Sequence, residues 1–233
     1  MTDKNSLDKI DLRIRSKEKM KTSSIEMIDE FFSRHQDLEF NRNDVIGATE
    51  DIVSNRGKKI LACGNGGSAS DSEHIIGELM KGFKLRRELT ADDRKKFTDM
   101  YGEEEGNRMA DNLQYGIPSV SLVCSCAILS AFVNDVDPDL VFAQQVFGLG
   151  NEGDYLIGLT TSGNSKNVVL AAKVAKLKGL KVIGFTQDSD NKLNSIADWS
   201  LNSPKHETYL IQEDHIKLYH LLCALVENEY YAD

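Results

Sequence analysis

A chain of 233 residues with 40% hydrophobic and 28% charged side chains can bury a sizeable core, and this composition excludes disordered or fibrous classes, so one folded domain with appendages is expected. Lys and Arg number 28 against 37 Asp and Glu, a formal charge of -9. That balance argues against a basic, phosphate-tracking surface and hence against nucleic acid as a direct ligand.

The chain begins MTDKNSLDKIDLRIRSKEKMKTSS, polar and charged, with no apolar stretch to serve as a signal-peptide core or a bilayer span. A cytoplasmic protein that does not contact membrane is expected. Residues 1–57 read as an N-terminal helical segment. Residues 24–37 place Ile25, Met27, Ile28, Phe31 and Phe32, and residues 43–56 place Val45, Ile46, Ala48 and Ile52, at near-helical spacings between charges. KKILAC at 58–63 then runs into Gly64 as a buried parallel strand runs into a loop. Similar runs follow at 118–124, 154–159, 181–186 and, more weakly, 198–201, with helical patterns between them. SKNVVLAAKVAKLKGL carries spaced lysines on an Ala- and Leu-rich helix that Gly179 is placed to end. Strand–helix–strand repeats of this kind require parallel pairing and right-handed crossovers. The fold expected is α/β: a doubly wound parallel five-stranded sheet flanked by helices, with ligands beyond the carboxyl ends of the strands.

Residues 84–116 depart from the alternation. They are dense in charge, with Thr90 to Asp93 resembling an acid-capped helix start, and read as a solvated helical insertion, the alternative being a lid or subunit contact. Cys63, Cys124, Cys126 and Cys223 stand in or beside apolar runs without a CxxC pair, so all four read as core or near-core thiols.

Two loops carry chemistry. CGNGGSASDSEHIIGEL at 63–79 is a glycine-rich turn between a strand and a helix. Its backbone can approach a ligand closely, and the helix N-terminus offers unpaired N–H groups to an anion. It is neither the GxGxxG fingerprint nor a Walker loop, so no nucleotide cofactor is expected. LTTSGNS at 159–165 gathers the hydroxyls of Thr160, Thr161, Ser162 and Ser165 around one point, a cradle suited to a sugar phosphate, although Ser and Thr before a helix are often plain caps. His74 and Glu78 lie four apart on one helix face, placed for a surface hydrogen bond or for moving protons. The last helix, about 211–231, brings Gln212, Glu213, His215 and His220. The two histidines are about 140° apart around a helix, so they do not comfortably share a site. Periodicity alone does not choose between them.

CGNGGSASDSEH, the pair Asn134 and Asp135, GLTTSGNSKNV and IQEDHIKLYH, in this order, resemble the SIS-domain sedoheptulose 7-phosphate isomerases over about residues 40–230. The resemblance implies a flavodoxin-like SIS domain and an aldose–ketose isomerase working through an enediol. Glu78 would be the base and His220 the acid. Thr160, Thr161, Ser162 and Ser165 would hold phosphate, and Asn65, Gly66, Ser68, Asn134, Asp135 and Gln212 would contact the sugar. It also implies a zinc ion on His74, Glu78, Gln212 and His220, a set that on one regular helix needs inward-reaching side chains or two subunits, since Gln212 and His220 are about 12 Å apart along the axis. A homotetramer with sites at subunit interfaces is implied as well. The long segment 84–116, the residues around Lys81 to Phe83 where an arginine is usual, and Tyr209 in place of an acid depart from the pattern. The rival reading is a non-catalytic adaptor of the same fold, resembling the DnaA initiator-associating proteins, which lack the residues matching Glu78 and His220.

Overall fold

The computed structural model describes residues 20–232; the polar stretch 1–19, read above as free of any signal or span, lies outside the described residues. Among these, no helix is long and apolar enough to cross a membrane. Helix α1 (Thr22–Arg34) and, after a short 3₁₀ turn (Gln36–Asn41), helix α2 (Arg42–Ser54) precede the first strand. There follow β1 (Ile60–Cys63), α3 (Gly67–Met80), α4 (Ala91–Tyr101), α5 (Glu103–Asn112), β2 (Ser119–Ser121), α6 (Cys126–Asp135) and α7 (Val141–Leu149). The chain ends with β3 (Tyr155–Leu159), α8 (Lys166–Leu177), β4 (Lys181–Gln187), β5 (Trp199–Ser203) and the long α9 (Thr208–Tyr231).

The five strands form one sheet in the order β2-β1-β3-β4-β5, and every pairing is parallel. Side chains alternate across it. Ile60, Ala62, Ile157 and Phe185 face a core built with Phe32, Leu38, Ile75 and Leu218, so α1, α2, α3 and α9 cover that side. Leu61, Cys63, Leu156 and Val182 face the other core, with Phe142, Val146, Val168 and Ala172 from α7 and α8. Burial on both faces explains why the strands read as continuous apolar runs. Because β1 and β3 are neighbours while their crossovers go to opposite sides, the strand order reverses between them, which opens a crevice at their carboxyl ends.

Local signals hold in detail. The Thr90 hydroxyl accepts from the Asp93 N–H at 3.2 Å and starts α4. Gly179 takes a positive φ of 78° just beyond α8, and Leu180 N–H bonds back to Ala175 C=O, closing the helix end. Two expectations need correction. Cys63 and Cys223 are buried but Cys124 and Cys126 are exposed, because β2 stops at Ser121 and the chain turns outward into α6, none of whose residues is buried. The segment 84–116 is not solvated throughout. The hairpin α4–α5 faces water, but Arg87 is 2% exposed. Its guanidinium meets Glu227 of α9 at 2.9 Å and donates to the Leu79 and Glu78 carbonyls, and Glu227 also accepts the N–H groups of Phe83, Lys84 and Leu85.

Candidate active site

The loops after β1 and β3 meet at the crevice between those strands. Gly66 adopts a φ of 55°, a left-handed conformation that side chains rarely take, and starts α3 with no side chain capping it. A Cβ at Gly67 would stand 2.5 Å from Gln212 Nε2, so a side chain there would displace the Gln212 amide. Gln212 of α9 is thereby set against the first turn of α3. Asn65, exposed in the same turn, exchanges side-chain amide bonds with Asn167 at the start of α8, 2.9 Å in each direction. Ser68 is buried beneath the turn.

In the second loop the Thr160 hydroxyl lies 2.8 Å from that of Ser165 and 3.5 Å from that of Ser162. Ser165 makes no capping bond to α8, so its hydroxyl faces its neighbours in the loop and the N-terminus of α8 keeps donors for an anion. Thr161 is half-buried and Ser162 exposed. The loop can therefore grip a phosphate with hydroxyls and N–H groups without a fixed cation. Asn134 and Asp135 are exposed at the end of α6, with the Asn134 amide donating to Asp135 at 2.7 Å.

Farther along α3 a second cluster forms. His74 Nε2 lies 3.1 Å from Glu78 Oε1, as the spacing of four allows. Across from them α9 supplies Tyr219, whose hydroxyl is 2.9 Å from His74 Nδ1, and His220, whose ring centroid is 5.0 Å from that of His74. His215 does not join them. It is buried against the Thr186 carbonyl at 3.1 Å, and burial pushes its pKa down to about 4. The structure thus separates the two histidines as the helix geometry requires. Burial, helped by the neighbouring His74, holds the His220 pKa below the usual histidine value, with Glu78 pulling the other way. Among the described residues Glu78 Oε2 and His220 Nε2 are buried without a partner, so both have capacity for a substrate atom, a proton or an ion.

The two clusters occupy different levels. Glu78 is about 16 Å beyond Gly67 along α3 at 1.5 Å per residue, so within one chain the hydroxyl loop and the Glu78–His220 pair do not line a single small pocket. A zinc ion suits the donor chemistry of His74, Glu78 and His220, two imidazoles and a carboxylate with two unpartnered atoms. The side chains would have to draw together around it, since among the described residues no three His, Cys, Asp or Glu groups already form a metal-holding set. Gln212, at the Gly67 end of α9, lies two turns from His220 on the same helix.

Two participants escape the sequence reading. Asp71 sits on the same face of α3, three before His74. It is 7% exposed, its Oδ2 has no partner among the described residues, and burial raises its pKa to about 6. Its spacing was a usable signal. Tyr219, adjacent to His220 in an apolar run, gave none.

Residues 115–187 match the SIS domain family. The chain is 41% identical over 174 residues to the phosphoheptose isomerase of Thermodesulfovibrio yellowstonii, covering 75% of this chain and 73% of that protein. It is 38% identical over 173 residues to that of Aliarcobacter butzleri, covering 74% and 77%. Among solved structures, the phosphoheptose isomerase of Neisseria gonorrhoeae superposes with a TM-score of 0.64 at 29% identity, covering 95% of this chain and 99% of that one. That of Francisella tularensis superposes with a TM-score of 0.66 at 28% identity, covering 98% and 100%.

Proposed function

The chain belongs to the phosphoheptose isomerase family, and from that premise we propose how its own residues carry the reaction. It is an aldose–ketose isomerase acting on a sugar phosphate, sedoheptulose 7-phosphate, which it interconverts with D-glycero-D-manno-heptose 7-phosphate. One proton moves between adjacent carbons through an enediol. Glu78 takes the carbon-bound proton and returns it to the neighbouring carbon. His220, kept neutral by burial, passes the proton between the two oxygens. Thr160, Thr161, Ser162 and Ser165 hold the distant phosphate, and Asn65, Gly66, Ser68, Asn134, Asp135 and Gln212 orient the sugar chain, so that binding energy remote from the reacting carbons holds them in line. The observation that carries this reading is the pair of buried atoms, Glu78 Oε2 and His220 Nε2, unpartnered among the described residues, on two side chains that both pack against His74.

Zinc, held by His74, Glu78 and His220 with Gln212 from another subunit, would polarise the substrate carbonyl and stabilise the negative charge that develops there. Assembly follows from the same geometry. The separation of the hydroxyl loop from Glu78 is spanned if the site forms between copies of the chain, and a homotetramer is proposed. α6, CAILSAFVND, is apolar yet has no buried residue, and beside it a groove of about 560 Å³ is lined by Val120, Cys124, Ile128 and Leu149. Phe147 is 59% exposed on the adjoining helix. Apolar surface of this extent marks an interface. We place the protein in the cytoplasm.

The experiment is a panel of heptose and hexose phosphates assayed with and without chelator, alongside light scattering and metal analysis of the purified protein. Turnover of sedoheptulose 7-phosphate by a tetramer is expected, with loss on chelation. A fully active monomer would overturn the assembly reading, and activity indifferent to chelator in metal-free protein would overturn the zinc. Absence of isomerisation across the panel, with binding to a replication initiator, would favour an adaptor.

A further inference from the structure

Two turns beyond His220, on the same face of α9, stands Glu227, since seven residues of helix bring the direction back to within about 20°. Its side chain is 1% exposed and its carboxylate is fully engaged. Oε1 accepts from the Phe83 N–H at 2.7 Å and from Arg87 Nε at 2.9 Å, and Oε2 accepts from the Lys84 and Leu85 N–H groups at 2.7 and 3.0 Å. A buried charge with a complete set of donors is held in one place. The other end of Arg87 closes α3. That helix runs into an extended Lys81 and has no basic residue in its last turn, and Arg87 Nη1 and Nη2 donate to the Leu79 and Glu78 carbonyls at 2.6 and 3.0 Å. A cation there satisfies orphan acceptors and complements the helix dipole. One buried ion pair thus fixes the turn of α3 that carries Glu78, the stripe of α9 that carries His220, and the backbone of Phe83.

From that anchored backbone the half-buried Phe83 ring reaches His220, with centroids 5.5 Å apart and planes inclined at 36°. His74 and Tyr219 meet the same imidazole edge to face at 5.0 and 4.9 Å. His220 Nε2 is buried with no partner among the described residues, so no hydrogen bond through that atom sets the plane of the ring. Packing sets it, and of the three rings Phe83 lies nearest to parallel and covers a face. We propose that Phe83 is a positioning residue for His220: its ring, seated by the Arg87–Glu227 clamp, holds the imidazole in the plane from which Nε2 meets the substrate. The inference rests on the reading of His220 as the acid. A flat partner is required, because an aliphatic side chain of similar bulk fills the space without the geometric preference of one ring for another. Misplacing a reacting group by 1 Å costs about 100-fold, so loss of the plate acts on kcat, while KM follows the distant phosphate.

The test compares Phe83→Leu, Phe83→Tyr and Arg87→Lys in the full chain by steady-state kinetics on sedoheptulose 7-phosphate, with urea unfolding giving the folded fraction of each. Histidine labelled with ¹³C reports the contact, the His220 ring signal being identified by its loss in His220→Ala. Phe83→Leu should lower kcat about 10–100-fold at unchanged KM and shift the His220 signal as the ring current of Phe83 disappears. Phe83→Tyr, which restores the plane, should recover most of the lost kcat and return the signal toward its parent position. Arg87→Lys, which keeps the charge but loses the fork, should move both readouts the way Phe83→Leu does. Full kcat in Phe83→Leu would overturn the proposal. So would equal losses in Phe83→Leu and Phe83→Tyr, a loss confined to KM, or an unmoved His220 signal in Phe83→Leu. If the parent isomerises no sugar phosphate, the acid assignment fails separately, while the His220 signal still decides whether Phe83 holds the ring.

Discussion

The side-chain amides of Asn65 and Asn167 grip each other, each Nδ2 donating to the other's Oδ1 at 2.9 Å, and so tie the turn after β1 to the start of α8 across the crevice between β1 and β3. The two loops proposed to hold the substrate are thereby held in one register. Asn167→Ala frees Asn65 while leaving the hydroxyls in place. The expected outcome is a KM raised several-fold with a smaller effect on kcat, read by steady-state kinetics. Thr161→Ala should raise KM further, by about 10-fold or more, because it removes the hydrogen bond proposed to the substrate phosphate, a charged group.

Glu78→Gln and His220→Ala should each lose about 100-fold or more in kcat, the range of a positioned acid or base, while circular dichroism and thermal unfolding stay close to those of the parent. Neither side chain holds the core together. Full activity in both variants would remove the roles assigned to them.

Arg87→Met should destabilise the fold by about 3–5 kcal/mol, because it strands the Glu227 carboxylate in the interior. The two side chains are 0% and 1% exposed, and Glu227 also anchors three backbone N–H groups of the connection after α3. Urea unfolding measures the loss. Because Arg87 also binds the Glu78 carbonyl at 3.0 Å, any folded fraction should show a lowered kcat as well.

His215 contributes a pH dependence of known sign. Its pKa is depressed from 6.5 to about 4 by burial, so below 6.5 the unfolded chain takes up a proton that the folded one refuses. Stability from this group is therefore present above pH 6.5 and is lost as pH falls toward 4, by about 3 kcal/mol in all. Asp71 slopes the opposite way: its pKa is raised to about 6, so its burial costs stability as pH rises from 3.8 toward 6. Denaturant titrations across pH 4–7 should show a shallower acid loss in His215→Gln than in the parent. An equal slope would show that His215 is not the group responsible.

Much of this was legible in the residues. Short apolar runs between helical patterns gave all five strands to within a few positions, the last of them only weakly, because a strand buried on both faces has no polar alternation to blur it. Thr90 and Gly179 gave a helix start and a helix end, since capping depends on backbone bonds within a few residues. The spacing of His74 and Glu78 gave their contact, a property of one helix. The cysteines failed because Cys124 and Cys126 lie where β2 stops early, and an apolar stretch reads the same whether it faces a core or an uncovered surface. Arg87 failed because a charge run usually faces water, and only the fold brings Glu227 from the far end of the chain to meet it.

Alternating strands and helices, two loops rich in small polar residues, and a carboxylate and imidazole on one helix turn were set by the sequence alone, because each depends on neighbours within about four residues. Which histidine of α9 stands beside Glu78, what lies behind His74, and how far the hydroxyl loop is from Glu78 were decided by the tertiary structure. Those relations depend on how α3 and α9 pack side by side on the sheet, and that packing joins residues well over a hundred positions apart.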